Sequence, residues 1–186
     1  MSVLTMYVTM SSVIFGGIAN MLFCKTSFYK KHNAPIDFGK TYKNKRIFGE
    51  NKTWIGFGGM VLFCIIGQLL SGFLCQAFSL ENQLYDHHAN TMGWNLALGA
   101  VFGFLYMLFE LPNSFIKRRL EIKPGETTNL FFFVFDQIDS LIGVMLVLFL
   151  TSDITFTGYL CYVGLGGLTH ILVNLLLYKL RVRKHL

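Results

Sequence analysis

The sequence predicts an all-α integral membrane protein with about five transmembrane helices and two basic cytoplasmic loops. Hydrophobic residues make up 53% of the 186 residues. Apolar runs near the length of about 20 residues that crosses a bilayer recur along the chain. Lys and Arg are concentrated between alternate runs, as expected of a polytopic protein. The chain 1–186 is therefore expected to form a single membrane domain, with no room for a sizeable soluble one.

The predicted helices are the apolar runs themselves, and the polar segments between them are the loops. The helices are predicted over residues 4–24, 54–78, 92–109, 131–150 and 158–178. The two long loops cover residues 25–53 and 110–130.

Positive charge predicts the orientation of these helices. All 16 Lys and Arg residues fall in the two long loops and in the C-terminal tail, on one side of the predicted membrane. The opposite side carries only Glu81, Asp86 and Asp153. Because cytoplasmic loops collect Lys and Arg, we expect a cell-membrane protein with its N-terminus outside and its C-terminus inside. The basic surface would face anionic headgroups and substrates, which explains a pI of about 9.2 without a nucleic-acid partner.

Two aspartates inside the fourth apolar run are the most informative residues of the chain. Asp136 and Asp139 lie within a stretch long enough to cross a bilayer. A charged carboxylate deep in hydrocarbon costs about 2.5–3.5 kcal/mol or more, so each needs a partner. Residues three apart share a helix face, with Cβ atoms about 5–6 Å apart, and two carboxylates there repel unless a cation lies between them. A hard divalent ion such as Mg²⁺ fits that position.

The first cytoplasmic loop combines glycines with basic residues. Gly39, Gly49 and Gly56 punctuate it, and Thr53 stands at the start of a predicted helix. Its basic residues include Lys40, Lys43, Lys45, Arg46 and Lys52. Exposed backbone N–H groups and a helix N-terminus favour anions, so this loop can cradle phosphates. The spacing is not that of a Walker A loop, and a solvated cytoplasmic loop would be equally basic.

The second cytoplasmic loop places more positive charge near the aspartates. Pro112 with Asn113 or Ser114 predicts the start of a short helix on the membrane surface, ending before residue 124. Lys117 and Arg118 would then stand at the interface. A basic cluster that binds phosphates, beside a carboxylate pair that binds Mg²⁺, is the minimum equipment for phosphoryl or nucleotidyl transfer at a membrane.

Two separated motifs resemble those of one known superfamily. The C-terminal motif reads Ser114-Phe-Ile-Lys117-Arg118, then Lys123, then Asp136-Gln-Ile-Asp139-Ser140, and resembles the signature of CDP-diacylglycerol synthases. The first-loop motif reads Pro35-Ile-Asp37-Phe-Gly39-Lys40, Arg46-Ile-Phe-Gly49 and Lys52-Thr53-Trp54-Ile-Gly56. It resembles CDP-archaeol synthases, the short five-helix branch, and the resemblance spans nearly the whole chain.

The resemblance implies an Mg²⁺-dependent transfer of CMP from CTP to a membrane lipid phosphate, with release of pyrophosphate, for phospholipid biosynthesis. Asp136 and Asp139 are then the metal ligands, and Lys117 and Arg118 join them as catalytic residues. The implied substrate-binding residues are Asp37, Lys40, Arg46, Lys52, Thr53, Ser114 and Lys123. An archaeol-type ether phosphate and phosphatidic acid both stay open as the acceptor.

A cation-coupled transporter with the aspartate pair as its ion site is the alternative from another class. It requires access from both sides, yet the pair lies only about six residues, roughly 9 Å, from the cytoplasmic start of its helix. This one-sided placement favours the enzyme. A structural or assembly subunit would leave both motif loops unexplained, and a homo-oligomer stays open.

Overall fold

A computed structural model describes residues 2–123, 126 and 129–179 of the chain. Arg181, Arg183 and Lys184 of the basic tail, and residues 124–125 after the predicted surface helix, lie outside the described residues. The elements in chain order are α1 (Val3–Phe23), α2 (Ser27–His32), β1 (Thr41–Tyr42), β2 (Lys45–Arg46), α3 (Trp54–Phe78), a 3-10 turn (Gln83–Tyr85), α4 (Met92–Arg119), α5 (Leu130–Thr151) and α6 (Phe156–Lys179).

Five of these helices, namely α1, α3, α4, α5 and α6, are long and apolar enough to cross a membrane. This confirms the predicted fold class. Four of them agree with the predicted bounds to within two residues. The short α2 and the two-residue strands of the first loop were not predicted, since elements this short have no hydrophobic periodicity in the sequence.

The fourth helix of the fold, α4, corrects one prediction. It does not end at Phe109 before a separate surface helix but continues through Pro112 to Arg119. A proline in a helix removes one backbone hydrogen bond, a loss that membrane proteins tolerate where neighbouring helices hold the segment. Here Asn113 and Lys117 both donate to Asp136 on α5, so the last turns of α4 are held against that helix.

The ends of the long helices are set by local side-chain caps. The Thr53 hydroxyl accepts the Gly56 N–H at 3.1 Å at the start of α3, and Asn129 accepts the Phe132 N–H at 3.0 Å at the start of α5. Both satisfy an amide that has no partner inside the helix. Because each cap lies at the end of a loop, it determines the residue at which the following membrane helix begins.

The five long helices pack mainly in chain order, α1 on α3, α3 on α4, α4 on α5 and α5 on α6. The α3–α4 contact is the tightest, since a Cβ at Gly99 would lie 2.5 Å from the Ile65 Cα and one at Gly103 would lie 2.4 Å from the Val61 Cα. Small residues four apart allow such close approach. The seam between α1 and α6 is looser than these contacts in the described chain.

A buried polar network fills the end of the bundle opposite the two basic loops. Gln68 donates to Asn95 at 3.1 Å, Tyr85 donates to the same Asn95 oxygen at 2.8 Å, and Asn95 in turn donates to Asn90 at 2.7 Å. Burial of a polar group in the low-dielectric interior is costly unless the group is hydrogen-bonded, and these bonds offset much of that cost. The network joins α3, α4 and their connection.

Candidate active site

A cavity of about 440 Å³ lies within the half of the bundle that carries the basic loops. Its polar part lies near the loops and includes Lys52, Glu110, Lys117 and both aspartates. From there the cavity follows α1 and α6 into the bundle, past polar residues of α6 such as Thr169 and Asn174, to an apolar inner end at Met10, Met60, Leu141 and Gly166. Residues that line the cavity occur along α1 from Met10 to Cys24 at its C-terminal cap, a distance of about 20 Å at the rise of a helix.

One face of α4 carries much of the polar lining. Glu110, Asn113 and Lys117 are three and four residues apart, so they project from the same side of the helix toward α5. Asn113 is 3% exposed and Lys117 is 7% exposed. The unexpected continuation of α4 past Pro112 therefore places these three side chains within the bundle, where a surface helix would have placed them outside it.

The two aspartates of α5 face these groups. Asp136 accepts hydrogen bonds from Lys117 Nζ and from the Asn113 amide, both at 2.7 Å. Asp139 accepts from the same Asn113 nitrogen at 2.7 Å and from the Ser140 N–H at 2.7 Å. Both predicted metal ligands therefore converge on one point, as their spacing on a helix predicted. Asp139 is buried, and Asp136 keeps about a quarter of its side chain exposed toward the cavity.

A second ion pair joins the first loop to α4. The Lys52 ammonium contacts the Glu110 carboxylate, and both side chains are about one-fifth exposed. Burial alone would lower the pKa of Lys52, but the charge and hydrogen bond of Glu110 and the nearby aspartates outweigh it and raise that pKa. Lys52 is therefore a cation at neutral pH, at the mouth of the cavity, with protons left to donate.

Asp37 organises the first loop around itself. Its buried carboxylate accepts hydrogen bonds from Arg46 at 2.6 Å and from the N–H groups of Gly39, Phe48 and Gly49 at 3.0, 3.0 and 3.1 Å. Burial raises the pKa of this carboxyl, but the Arg46 and backbone hydrogen bonds outweigh it, and the pKa falls to about 2. Gly49 has a φ of +97°, which a residue with a side chain rarely adopts.

A hairpin within the same loop attaches it to the end of α4. Lys43 and Asn44 both have positive φ, of 50° and 60°, which makes a tight two-residue turn between β1 and β2. Arg119 donates to the backbone oxygens of Tyr42, Lys45 and Arg46, the Lys45 contact being 3.0 Å. The hairpin thereby covers the C-terminus of α4 and holds the loop beside the cavity.

The structure separates the predicted site residues into two groups. Six line the cavity, namely Asp136, Asp139, Lys117, Arg118, Lys52 and Ser114. Asp37 and Thr53 instead have buried side chains whose hydrogen bonds hold the loop and cap α3, and their contact with substrate stays a prediction. Arg46 is the partner of Asp37. Lys40 and Lys123 are exposed beyond the cavity lining, and their contact with substrate stays a prediction.

Sequence reasoning missed Glu110 and the role of Asn113. Glu110 is predicted to lie in the loop and Asn113 at the start of a separate surface helix, so the spacing of both with Lys117 on one helix face is not apparent. The signal was present in the sequence, since positions 110, 113 and 117 repeat at the helical period. Pro112 obscures this helical spacing, because an internal proline ordinarily indicates a helix boundary.

The residues present fit a divalent cation at the aspartate pair. Two carboxylates each direct one oxygen at the same atom of Asn113, and hard cations prefer oxygen ligands. Among the described residues no group of three or more His, Cys, Asp or Glu side chains is placed to hold a metal ion. A metal ion held by the aspartate pair would therefore need its other ligands to be groups other than the His, Cys, Asp and Glu side chains of the described residues.

Comparison with known proteins identifies the family. The family model of CDP-archaeol synthases, described as CarS-like, matches residues 3–185. The chain belongs to the CDP-archaeol synthase family. The chain is 34% identical to the CDP-archaeol synthase of Pyrobaculum islandicum, over 81% of this chain and 80% of that protein. It is 32% identical to that of Pyrococcus furiosus, over 79% of this chain and 80% of the relative.

A solved structure gives the same fold. An intramembrane enzyme for archaeal membrane lipid biosynthesis superposes with a TM-score of 0.66 at 18% identity, covering 94% of this chain and 95% of the other. Membership of the CDP-archaeol synthase family, together with this fold, confirms the prediction of a multi-pass membrane enzyme of the cytidylyltransferase class. The transporter alternative is not favoured.

Proposed function

We propose that the protein transfers CMP from CTP to the phosphate of an archaeol-type ether lipid, forming CDP-archaeol and pyrophosphate, with Mg²⁺ held at Asp136 and Asp139. The observation that carries this proposal is the cavity itself. One space joins a cluster of carboxylates and cations at the basic end to a channel between α1 and α6 whose inner end is apolar. A nucleotide and the headgroup of a lipid can therefore meet in it while the tails stay among the helices.

Charge supports a triphosphate as one of the two substrates. The described lining has a surplus of one positive charge, since four cations, Lys25, Lys52, Lys117 and Arg118, face three carboxylates. A divalent ion raises the surplus to three, close to the roughly four negative charges of a nucleoside triphosphate. Fixed charges in a site that excludes water interact strongly with phosphates, so a near balance favours binding.

The reaction needs little covalent chemistry from the protein. An oxygen of the lipid phosphate attacks the α-phosphorus of CTP, the bond to the bridging oxygen of the β-phosphate breaks, and that oxygen leaves with pyrophosphate. The lipid phosphate is already largely anionic at neutral pH, so no general base is required. Lys52 and Lys117 orient the triphosphate and neutralise charge that grows on the leaving group.

Asp136 and Asp139 would hold Mg²⁺, and Lys117 fixes the orientation of Asp136. When bound, the ion neutralises phosphate charge and polarises the phosphoryl oxygens. Asp139 is locked by the Ser140 N–H, so neither carboxylate is free to turn away. Fixed carboxylates keep the reacting groups close together and correctly oriented, and this proximity accelerates the reaction.

The test is incubation of the purified protein with labelled CTP, Mg²⁺ and a panel of lipid phosphates, with products read by mass. We expect a CDP-lipid and pyrophosphate in equal amounts, and loss of both in Asp136→Asn and Asp139→Asn, since the amide keeps the shape but removes the charge that holds Mg²⁺. Asp153→Asn is the control, because Asp153 is 81% exposed at the other end of the bundle. Near-normal Mg²⁺-dependent activity in either site variant contradicts the metal assignment.

Phosphatidic acid is the second acceptor to include in that panel. The inner end of the channel presents apolar surfaces such as Met10 and Leu141, and a difference of a methylene there is worth only about 1–3 kcal/mol. We therefore expect CMP transfer to both lipids in a competition assay, with a preference for the archaeol type. Transfer to a soluble phosphate but to no lipid phosphate would mean that the fold serves a different acceptor.

A further inference from the structure

We infer that Asn113 is itself a metal ligand, whose side-chain oxygen completes, with one oxygen each of Asp136 and Asp139, a three-oxygen face for the divalent ion. The identity of the ion as Mg²⁺ rests on the proposed function. The position of the face rests on the structure alone.

The first support is how the carboxylate oxygens are used. Asp136 gives Oδ2 to Lys117 and directs Oδ1 at the Asn113 amide, at 2.7 Å in both cases. Asp139 gives Oδ1 to the Ser140 N–H and directs Oδ2 at the same Asn113 atom, again at 2.7 Å in both cases. Each aspartate thus has one oxygen committed to a positioning partner and one aimed at the amide.

The second support is an unpartnered atom. Asn113 is 3% exposed, and its side-chain oxygen is buried with no hydrogen-bond partner among the described residues. The nitrogen and oxygen of an amide are assigned from their surroundings, and half a turn of the amide exchanges them. Without a cation, the two carboxylates favour the orientation in which the Asn113 amide N–H groups point at them. With a cation between the carboxylates, a half-turn of the amide points its oxygen at the cation.

The third support is the spacing. In an octahedral site with metal–oxygen bonds of about 2.0–2.1 Å, neighbouring oxygens lie about 2.9 Å apart. The amide nitrogen lies 2.7 Å from each carboxylate oxygen, so an oxygen in its place would have nearly that spacing. Mg²⁺ usually keeps several positions for water and substrate phosphates, and a three-oxygen protein face leaves those positions open toward the cavity.

The opposing interpretation is that Asn113 only donates hydrogen bonds that hold the two carboxylates. The two roles respond oppositely to Asn113→Asp. An aspartate can supply the ligand oxygen, but as an anion it cannot donate to its neighbours. Asn113→Ala removes both functions.

Mn²⁺ binding, followed by electron paramagnetic resonance on the purified full chain without CTP or lipid, separates them. We expect Asn113→Ala to weaken Mn²⁺ binding about tenfold or more, as loss of groups at metal sites commonly does. Asn113→Asp should retain the wild-type affinity or exceed it. It should also unfold at a lower temperature without metal and recover when Mn²⁺ is added. Asn95→Ala is the matched control, since Asn95 is equally buried on α4 but lies in the network at the far end.

Wild-type Mn²⁺ affinity in Asn113→Ala, or loss of binding in Asn113→Asp, overturns the inference. Absence of Mn²⁺ binding in the wild-type protein overturns it as well. Mn²⁺ binding that depends on Asn113 in a protein that transfers no CMP contradicts the proposed function and leaves this inference standing. CMP transfer together with Mn²⁺ binding that ignores Asn113 contradicts this inference alone.

Discussion

At the scale of single residues, the site is built from groups that neutralise one another. Lys117 pairs with Asp136 at 2.7 Å, and Lys52 pairs with Glu110. Buried charges of one sign would be costly, so pairing lets them stay in the bundle before substrate arrives. Each lysine still has protons to donate, and phosphate oxygens can therefore be bound without first breaking the pairs.

Lys52 gives the residue-scale prediction. Lys52→Ala should raise KM for CTP about ten- to a hundredfold, because a charged hydrogen bond to phosphate is worth roughly 1.5–3 kcal/mol. Steady-state kinetics at varied CTP measures this. Lys31→Ala is the control, since Lys31 is exposed on α2 and does not line the cavity. If both variants raise KM equally, the loop acts as a diffuse basic surface and the assigned contact is wrong.

At the scale of elements, the first loop is an ordered structure that depends on one buried carboxylate. Asp37 joins Arg46 to the backbone around Phe48 and Gly49. Lys52 follows directly, and its position at the cavity therefore depends on the shape of this loop. The sequence motif around Asp37 thus marks a scaffold that positions Lys52, the residue we propose to contact the substrate.

This dependence predicts how the loop responds to acid. Because the pKa of Asp37 is lowered to about 2 from an ordinary 3.8, its stabilisation is complete above about pH 4 and is lost as the pH falls through about 2. The size is on the order of 2 kcal/mol. Hydrogen exchange of the Phe48 and Gly49 amides should show protection that disappears over this window. Asp37→Asn should show weak protection throughout, whereas Glu50→Gln should follow the wild type.

The α3–α4 contact gives a second element-scale prediction. Gly103→Ala places a Cβ against the Val61 backbone at 2.4 Å and should destabilise the protein by about 1–3 kcal/mol. Thermal unfolding in detergent measures the loss. Gly58→Ala is the matched control within α3, where a Cβ meets nothing within 4 Å, and it should be neutral or stabilising. Equal stability of the two variants would show that α3 and α4 do not approach so closely.

At the scale of the whole molecule, the two ends of the bundle differ, and the cavity that contains the aspartates belongs to the end that carries the basic loops. The cavity reaches from the basic loops to the middle of α1 and α6. The opposite end holds the polar network around Asn95. A transporter needs access to its ion site from both sides, and this arrangement offers the aspartates one approach.

The orientation of this asymmetric molecule is the whole-molecule prediction. We propose that the basic end faces the cytoplasm, where CTP is available, because all 16 Lys and Arg residues lie in segments predicted for that side. Lys43→Cys at the hairpin tip and Ala89→Cys at the other end, each on a background without the four native cysteines, test it with a membrane-impermeant thiol reagent. Ala89→Cys should label in intact cells and Lys43→Cys only after lysis. The reverse pattern would place the cavity outside and contradict the proposed CTP site.

The five membrane helices, the aspartate pair and the family resemblance are predictable from the sequence alone, because each depends on a local pattern of residues. Apolar length specifies a span, and spacing by three puts Asp136 and Asp139 on one helix face. The continuation of α4 through Pro112 is visible only in the three-dimensional structure, since contacts with α5 compensate for the missing backbone hydrogen bond. The same holds for the role of Asp37 as a scaffold residue and for the place of Asn113 between the aspartates. Both depend on distances between segments far apart in the chain, which no local pattern contains.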